Sequence, residues 1–294
     1  MFFSDVFFKW FYFVLLVAFF GSAFMLIEIS LKSFTPHLIA FIRVTIAALI
    51  LFIYSMILNK SYAFIRENFV LLFILGLTGT SIPFYLISWA QITINSGETG
   101  ILIGFMPLFT IIGSHYLFKY EKLNTVKVFG FILGFIGLFI LLINNQGSET
   151  LSGNIIAKIA VILGAFFYAL NALLVKKINN VDVLALSATV MAFSALQLFV
   201  LCIFTYEKAF FIESIYIDSI IALLFMSIFS TAIATVIYYK IIHDYGPNFL
   251  SLVNYPIPVF AFFIGVIFLG EEINIYTILS LLLVIAAIYI SQKK

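Results

Sequence analysis

Glu28 and Arg43 are the ionisable side chains that stand well inside long apolar runs. A charge at the middle of a membrane helix costs about 2.5–3.5 kcal/mol on insertion scales, so each needs a partner or a task. Pro36 marks a turn, with Glu28 eight residues before it and Arg43 seven after. At about 1.5 Å per residue, both then lie roughly 10 Å below the same surface. Two chemistries are open to them. They can pair as a salt bridge that locks a helical hairpin, or serve a cavity as a titratable carboxylate and a carboxylate-binding guanidinium.

Uncharged polar and aromatic residues form a second group. Ser81, Tyr85, Ser88 and Trp89 share one helical face, and Ser227, Thr231, Thr235 and Tyr238 repeat the pattern later in the chain. Both faces are candidates for lining a wet cavity. The competing reading is that the hydroxyls bond their own backbone or join helices, and that Trp89 and Tyr238 belong to an interfacial belt. Tyr168 with Asn171, Gln197, and Asn254 with Tyr255 also fall at lipid depth. A buried amide there needs a partner, either another helix or a substrate.

Pro107, Pro256 and Pro258 stand in apolar runs and would free the carbonyls of Ile103, Leu252 and Asn254. Interrupted helices at matching places in two halves point to a transport site or a hinge. Pro83 has no such counterpart.

Other chemistry is excluded. No Gly-Lys phosphate loop is present, so direct ATP drive is not expected. Asp5, Asp182, Asp218 and Asp244 are isolated near helix ends, and no cluster suits a metal or an embedded enzyme. Cys202 is the single cysteine and reads as a small buried hydrophobe. No cofactor is expected, and the dispersed charge of +2 argues against nucleic acid.

The elements that must position these residues follow from hydropathy. Of 294 residues, 64% are hydrophobic and 10% charged, with a mean hydropathy of +1.22. A soluble domain carries roughly a quarter charged residues, so this is an all-α polytopic membrane protein. Ten apolar segments approach the ~20 residues that span a bilayer: Trp10–Leu31, Pro36–Leu58, Phe69–Ile92, Gly97–Phe118, Thr125–Ile143, Ile155–Val175, Val183–Thr205, Tyr216–Ile241, Pro247–Leu269 and Ile275–Ile290. The first is too long for a signal peptide and is read as a retained helix. With a cytoplasmic N-terminus, Lys9, Lys60, Arg66, Lys119, Lys122, Lys127, Lys176, Lys177, Lys240, Lys293 and Lys294 fall inside, and only Lys32, Lys158 and Lys208 outside. The bias predicts that both termini are cytoplasmic, and the inner (cytoplasmic) membrane is the expected location.

The segment from Trp89 through Pro107 to Glu121 resembles that from Tyr238 through Pro256 to Glu271: helix, proline, helix, acidic turn, helix. Residues 1–147 and 148–294 thus read as two five-helix repeats. Five is odd, so the second enters the bilayer inverted, an arrangement common among secondary transporters. Glu121 and Glu271 are expected to cap the helices that follow them. Gly130, Gly134 and Gly137, with Ser280, Ala286 and Ala287, read as small faces for tight helix packing. Such faces permit a homodimer without requiring one.

The runs Phe20-Gly21-Ser22-Ala23-Phe24, Phe41-Ile42-Arg43-Val44, Pro107-Leu108-Phe109 with Glu121, and Pro258-Val259-Phe260-Ala261 through Leu269-Gly270-Glu271 resemble the drug/metabolite transporter superfamily in its ten-helix EamA-type branch. The family often has Trp-Gly where this chain has Phe20-Gly21. The resemblance covers nearly the whole chain and implies a 5+5 inverted repeat with a central cavity. It also implies export or exchange of small polar metabolites, commonly amino acids or amines. The expectation is therefore a secondary transporter, an exporter working by alternating access. Alternatives are an uptake permease or facilitator of the same fold, a channel, or a membrane-embedded enzyme or lipid-handling protein.

Overall fold

The computed structural model describes residues 2–118, 125–143, 151–178, 181–205, 214–245, 250, 253–254 and 256–291. The regular elements among them are all helices, as a chain this apolar requires: in lipid, a helix satisfies its own backbone. In chain order they are α1 (Phe2–Ser30), α2 (Pro36–Ile57), α3 (Phe64–Ala90) and α4 (Ser96–Ile103 and Met106–Gly113, ending in a π-turn Ser114–Phe118). Next come α5 (Thr125–Ile143), α6 (Leu151–Val175), α7 (Val183–Phe204), α8 (Ile217–Tyr245), α9 (Pro256–Leu269) and α10 (Ile275–Ser291). Seven are long and apolar enough to cross a bilayer, and the described parts of α5, α9 and α10 are shorter apolar helices. The expected spans agree with these except at their ends: α3 starts at Phe64 rather than Phe69, and α8 runs on to Tyr245.

Local chemistry sets the boundaries. Pro36 opens α2, where its missing N–H costs nothing. Asn95 caps α4 by accepting from Glu98 N at 2.8 Å, and Asp182 caps α7 by accepting from Leu184 N and Ala185 N. After α9 the chain turns at Gly270, whose φ of 68° lies in the left-handed region that glycine enters without strain.

The packing pattern carries the repeat. α5 packs against α10, α2 against α7 and α4 against α9, while α3 packs on α6 and α7, and α8 on α1 and α2. Likewise α4 touches α6, and α9 touches α1. Exchanging each helix with the one five places away leaves this set unchanged, as a twofold relation between halves demands. Within the α5–α10 pair, a Cβ on Gly137 would sit 3.0 Å from Leu283 and one on Gly134 3.2 Å from Ala287. Ser280 Oγ donates across the same contact to Gly137 O at 2.8 Å. The small-residue faces therefore join two helices of one chain. Outward, Phe129, Ile132, Ile136 and Phe139 of α5 are exposed, as a lipid-facing surface requires.

Four helices are not regular. α3 carries a π-segment at Leu77–Ser81 and α8 one at Met226–Ile233; α4 and α9 end in π-turns, at Ser114–Phe118 and Gly265–Leu269. The irregularities fall on the third and fourth helix of each half. Pro83 follows the α3 segment directly, whereas α8 bulges without a proline. Pro107 is not interior to a continuous helix: α4 breaks at Gly104-Phe105, and Pro107 sits in the first turn of its second part. Pro256 opens the described part of α9 just after a turn at Asn254. The two broken helices meet where a Cβ on Gly104 would lie 2.8 Å from Pro258 Cγ.

Candidate functional site

A π-turn admits one extra residue and leaves carbonyls without their usual helical partner, so side chains from neighbouring helices can take them. Side chains of neighbouring helices reach both bulges. At the α3 bulge, Asn171 Nδ2 of α6 donates to Leu75 O at 3.0 Å. From α7, Gln197 Nε2 donates to Phe73 O at 2.9 Å and Ser194 Oγ to Gly76 O at 3.2 Å. Ser81 Oγ donates to Gln197 Oε1 at 2.7 Å. Gly79 is needed here, because a Cβ would lie 2.5 Å from the Asn171 amide.

At the α8 bulge the reaching group is Arg43 of α2. Thr231 Oγ1 donates to Met226 O at 2.9 Å, which turns its lone pairs outward, and Arg43 Nε donates to that oxygen at 2.6 Å. A longer contact runs from Arg43 NH2 to Ser230 O at 3.5 Å. The guanidinium stands over Phe84, its carbon 3.7 Å from the ring centroid, within cation–π distance. The second helix of each half thus enters the bulge of the third helix of the other.

Arg43 also borders a central cavity enclosing about 1020 Å³ of empty space, its opening included. Phe20, Phe24, Ile27, Met106, Met191 and Ile257 make the apolar wall. Tyr168, Asn171, Ser230, Thr235, Tyr238 and Asn254 supply the polar groups. Aromatic rings meet edge to face around it, Phe20 on Tyr238 and Phe84 on Tyr168, each with centroids 6.5 Å apart. The Ser230 hydroxyl is buried and has no hydrogen-bond partner. No Asp or Glu is among the described lining residues. An apolar cleft with a few convergent polar groups suits a small amphipathic solute, and the unneutralised guanidinium suits a carboxylate on it.

Of the residues proposed from sequence, Arg43, Tyr168, Asn171, Thr235, Tyr238 and Asn254 line this cavity. Thr231 stands behind it, holding Arg43. Ser81 joins α3 to α7, Tyr85 is half-buried away from the cavity, and Trp89 is exposed at the end of α3. The strip of α3 that does line it, Gly79, Thr80, Phe84 and Ile87, lies one residue round the helix from the expected one. Tyr255 lies outside the described residues. Pro107 and Pro258 are buried at the α4 and α9 interruptions rather than in the cavity wall.

Glu28 and Arg43 do not pair. Glu28 Oε2 accepts from Ser96 N at the start of α4, at 2.9 Å. Nor does Glu271 cap the helix that follows it. Asn274 Oδ1 takes that place by accepting from Tyr276 N, while Glu271 reaches across to α4 and accepts from Ser96 N and Gly97 N. Glu121 lies outside the described residues. Two functional candidates escaped the sequence: Lys158, counted above as a loop charge, is fully buried in α6, and Glu98 is 1% exposed in α4. Their ion pair spans 3.6 Å. The available signal was Lys158's place inside the apolar run that begins at Ile155.

Comparison with known proteins agrees with this architecture. The model of the EamA-like transporter family matches residues 8–143 and again 155–292. An uncharacterized transporter of Archaeoglobus fulgidus is 26% identical over 291 residues, covering 97% of this chain and 99% of the relative. The uncharacterized transporter YoaV of Bacillus subtilis is 24% identical over 275 residues, 92% of each. An S-adenosylmethionine/S-adenosylhomocysteine transporter of Chlamydia muridarum is 23% identical over 266 residues, covering 86% of this chain and 81% of the relative. A crystal structure superposes with a TM-score of 0.69 at 14% identity, covering 96% of this chain and 95% of that one, which bears on the fold alone.

Proposed function

The chain belongs to the EamA-like transporter family, and from that premise we propose that it is a secondary transporter that carries a small polar metabolite across the cytoplasmic membrane by alternating access. It is a multi-pass membrane transporter and not an enzyme. The proposed substrate is an amino acid or a related compound, moved outward, with both termini cytoplasmic and residues 1–147 and 148–294 as the two moving halves.

The observation that carries the reading is Arg43 at the wall of a central cavity with no carboxylate among its described lining residues. Thr231 and Phe84 hold the guanidinium in place, so its remaining N–H groups are pre-oriented towards a carboxylate. Phe20, Phe24 and Met106 would cover the apolar part of the solute, and Asn254 with the Tyr168 and Tyr238 hydroxyls its amino or hydroxyl groups. This favours an amino acid over a simple amine. The named substrate of the Chlamydia relative, an amino-acid derivative, agrees with it. The paired interruptions of α4 and α9 at Pro107 and Pro256/Pro258 supply the hinges about which the halves rock.

Counterflow tests the proposal. Proteoliposomes preloaded with a pool of unlabelled amino acids and amines are offered each labelled member in turn. A saturable, transient overshoot for carboxylate-bearing members is expected. Non-saturating flux would instead indicate a channel, and no overshoot with folded protein would remove this substrate class.

A further inference from the structure

One end of the cavity is closed over a group of charges that solute binding does not use. Phe24 and Ile27 of α1 line the cavity, and Glu28 follows them directly. Here α4 packs closely on α9, and the carboxylate of Glu271 is cradled between two glycines. A Cβ on Gly97 or on Gly265 would come within 2.6 Å of it. Ser96 N donates to Glu28 Oε2 and to Glu271 Oε1, at 2.9 Å each. Ser96 Oγ and Gly97 N donate to Glu271 as well.

A single N–H divided between two carboxylates brings their oxygens together on one hydrogen. Two ionised groups so placed repel, whereas one proton between them turns the repulsion into a hydrogen bond. Glu98, two residues after Ser96 in α4, adds a third carboxylate. It is 1% exposed, neither of its oxygens accepts a hydrogen bond, and the Lys158 ammonium stands 3.6 Å away. Among the described residues, the charged groups facing Glu28 are Glu271 from the α9–α10 turn and Lys32, exposed just past the end of α1, while Glu98 from α4 faces Glu271 and is paired with Lys158 of α6. Among the described residues, three carboxylates thus gather at this end with one buried ammonium, which pairs with Glu98. Lys158 offsets Glu98, which leaves Glu28 and Glu271, both part-buried and sharing one N–H, without a buried counter-charge among the described residues, the arrangement that favours a single bridging proton.

We propose that Glu28, Glu98 and Glu271 form a proton-binding site at the N-terminus of α4, with Lys158 as its resident counter-charge. One proton is shared between Glu28 and Glu271 while this end is sealed. The groups come from both halves: α1 and α4 from the first, α6 and the α9–α10 turn from the second. When the halves part at this end the two carboxyls separate, the shared hydrogen bond is lost, and the proton leaves to water as free H⁺. Resealing takes one up again. Coupling of that proton to solute movement rests on the transporter reading; its binding does not.

Infrared spectroscopy of the purified full chain, with no solute or gradient present, tests the site. At pH 7 the wild type should show the carbonyl stretch of a protonated carboxyl in apolar surroundings. The band should disappear in Glu28→Gln and persist in Glu67→Gln, a change at an exposed site on α3. Should Glu28→Gln not fold, Glu271→Gln reads the same pair. Exchanging choline for sodium at constant pH should leave the band in place. Absence of the band in the wild type, its survival in both pair variants, or its loss on adding sodium would overturn the proposal. Because the band is read without transport, a failed counterflow assay and a failed proton site are separate results.

Discussion

Gly100 is the position where the closed end is most open to perturbation. It stands in the first part of α4, and a Cβ built there would overlap the Ala261 Cβ on α9. Ordinary carbon contact begins at 3.4 Å, and neither methyl can rotate away, so the helices must part by about 1 Å. Two effects oppose each other in Gly100→Ala. Helix propensity favours alanine by about 1 kcal/mol, while overpacking costs about 1–3 kcal/mol. The net single-variant effect is thus small to moderately destabilising. The coupling to Ala261 is the sharper quantity. In Gly100→Ala/Ala261→Gly the methyl is moved from one helix to the other, the propensity terms cancel, and stability should return to near the wild-type value. A double-mutant cycle, read by thermal unfolding in one detergent, should therefore give a coupling of at least about 1 kcal/mol. Additive effects, or a Gly100→Ala protein that gains the full propensity increment, would show that α4 and α9 do not meet here.

Three further outcomes follow from local geometry. Gly270→Ala places a Cβ in open space but at a φ of 68°, so it should cost about 1–2 kcal/mol through the backbone alone, and Gly270→Asn less; equal costs would contradict this. Asp182 is held below the usual carboxylate range: partial burial would raise it, but the Lys60 ammonium and the N–H groups of Ala185 and Leu184 outweigh that. Its stabilising contribution should be present above the unfolded-state value of roughly 3.9 and be lost as pH falls through the folded value. Asp182→Asn, which keeps the cap, should cost under about 1 kcal/mol and flatten this acid dependence, and Asp182→Ala should cost about 1 kcal/mol more; equal stability of the two variants by thermal melts would refute the cap. Asn171→Leu should destabilise by about 1–3 kcal/mol, because Leu75 O at the α3 bulge loses its donor inside the membrane; an unchanged melting point would show that water or another group replaces it.

Hydropathy made the spans legible, since a helix crossing lipid must be apolar along nearly its whole length. The matching of Pro107 with Pro256 and of Glu121 with Glu271 exposed the duplication, and Arg43 stood out because charge is costly at its depth. What the sequence concealed has physical causes. Spacing along a chain gives depth in the bilayer but not which neighbours close over a residue, so Glu28 and Arg43, at similar depth, take separate partners. Glu98 and Lys158 lie within a turn of the span starts expected at Gly97 and Ile155, where charges ordinarily reach water, and are buried because α4 and α6 pack together. The π-segments break the 3.6-residue period that places Ser81 and Tyr85 towards the cavity, and Asn171, Ser194 and Gln197 reach carbonyls at and just before the α3 segment. An amide at lipid depth therefore signalled a bulge as well as a binding site.

The central claim is that Arg43, fixed by Thr231 and Phe84, receives the carboxylate of the transported solute. Its most direct test compares counterflow of amino acids with that of their uncharged amides, in the wild type and in Arg43→Lys, in proteoliposomes of equal protein content. A charge-assisted hydrogen bond is worth about 1.5–3 kcal/mol, which is roughly 10–100-fold in apparent affinity. The acids should lead the amides by that factor in the wild type, and Arg43→Lys, whose ammonium cannot keep the Thr231 and Phe84 contacts while presenting a fork of donors, should erase most of the difference. Amides moving as well as acids, or an unchanged preference in Arg43→Lys, would contradict the account.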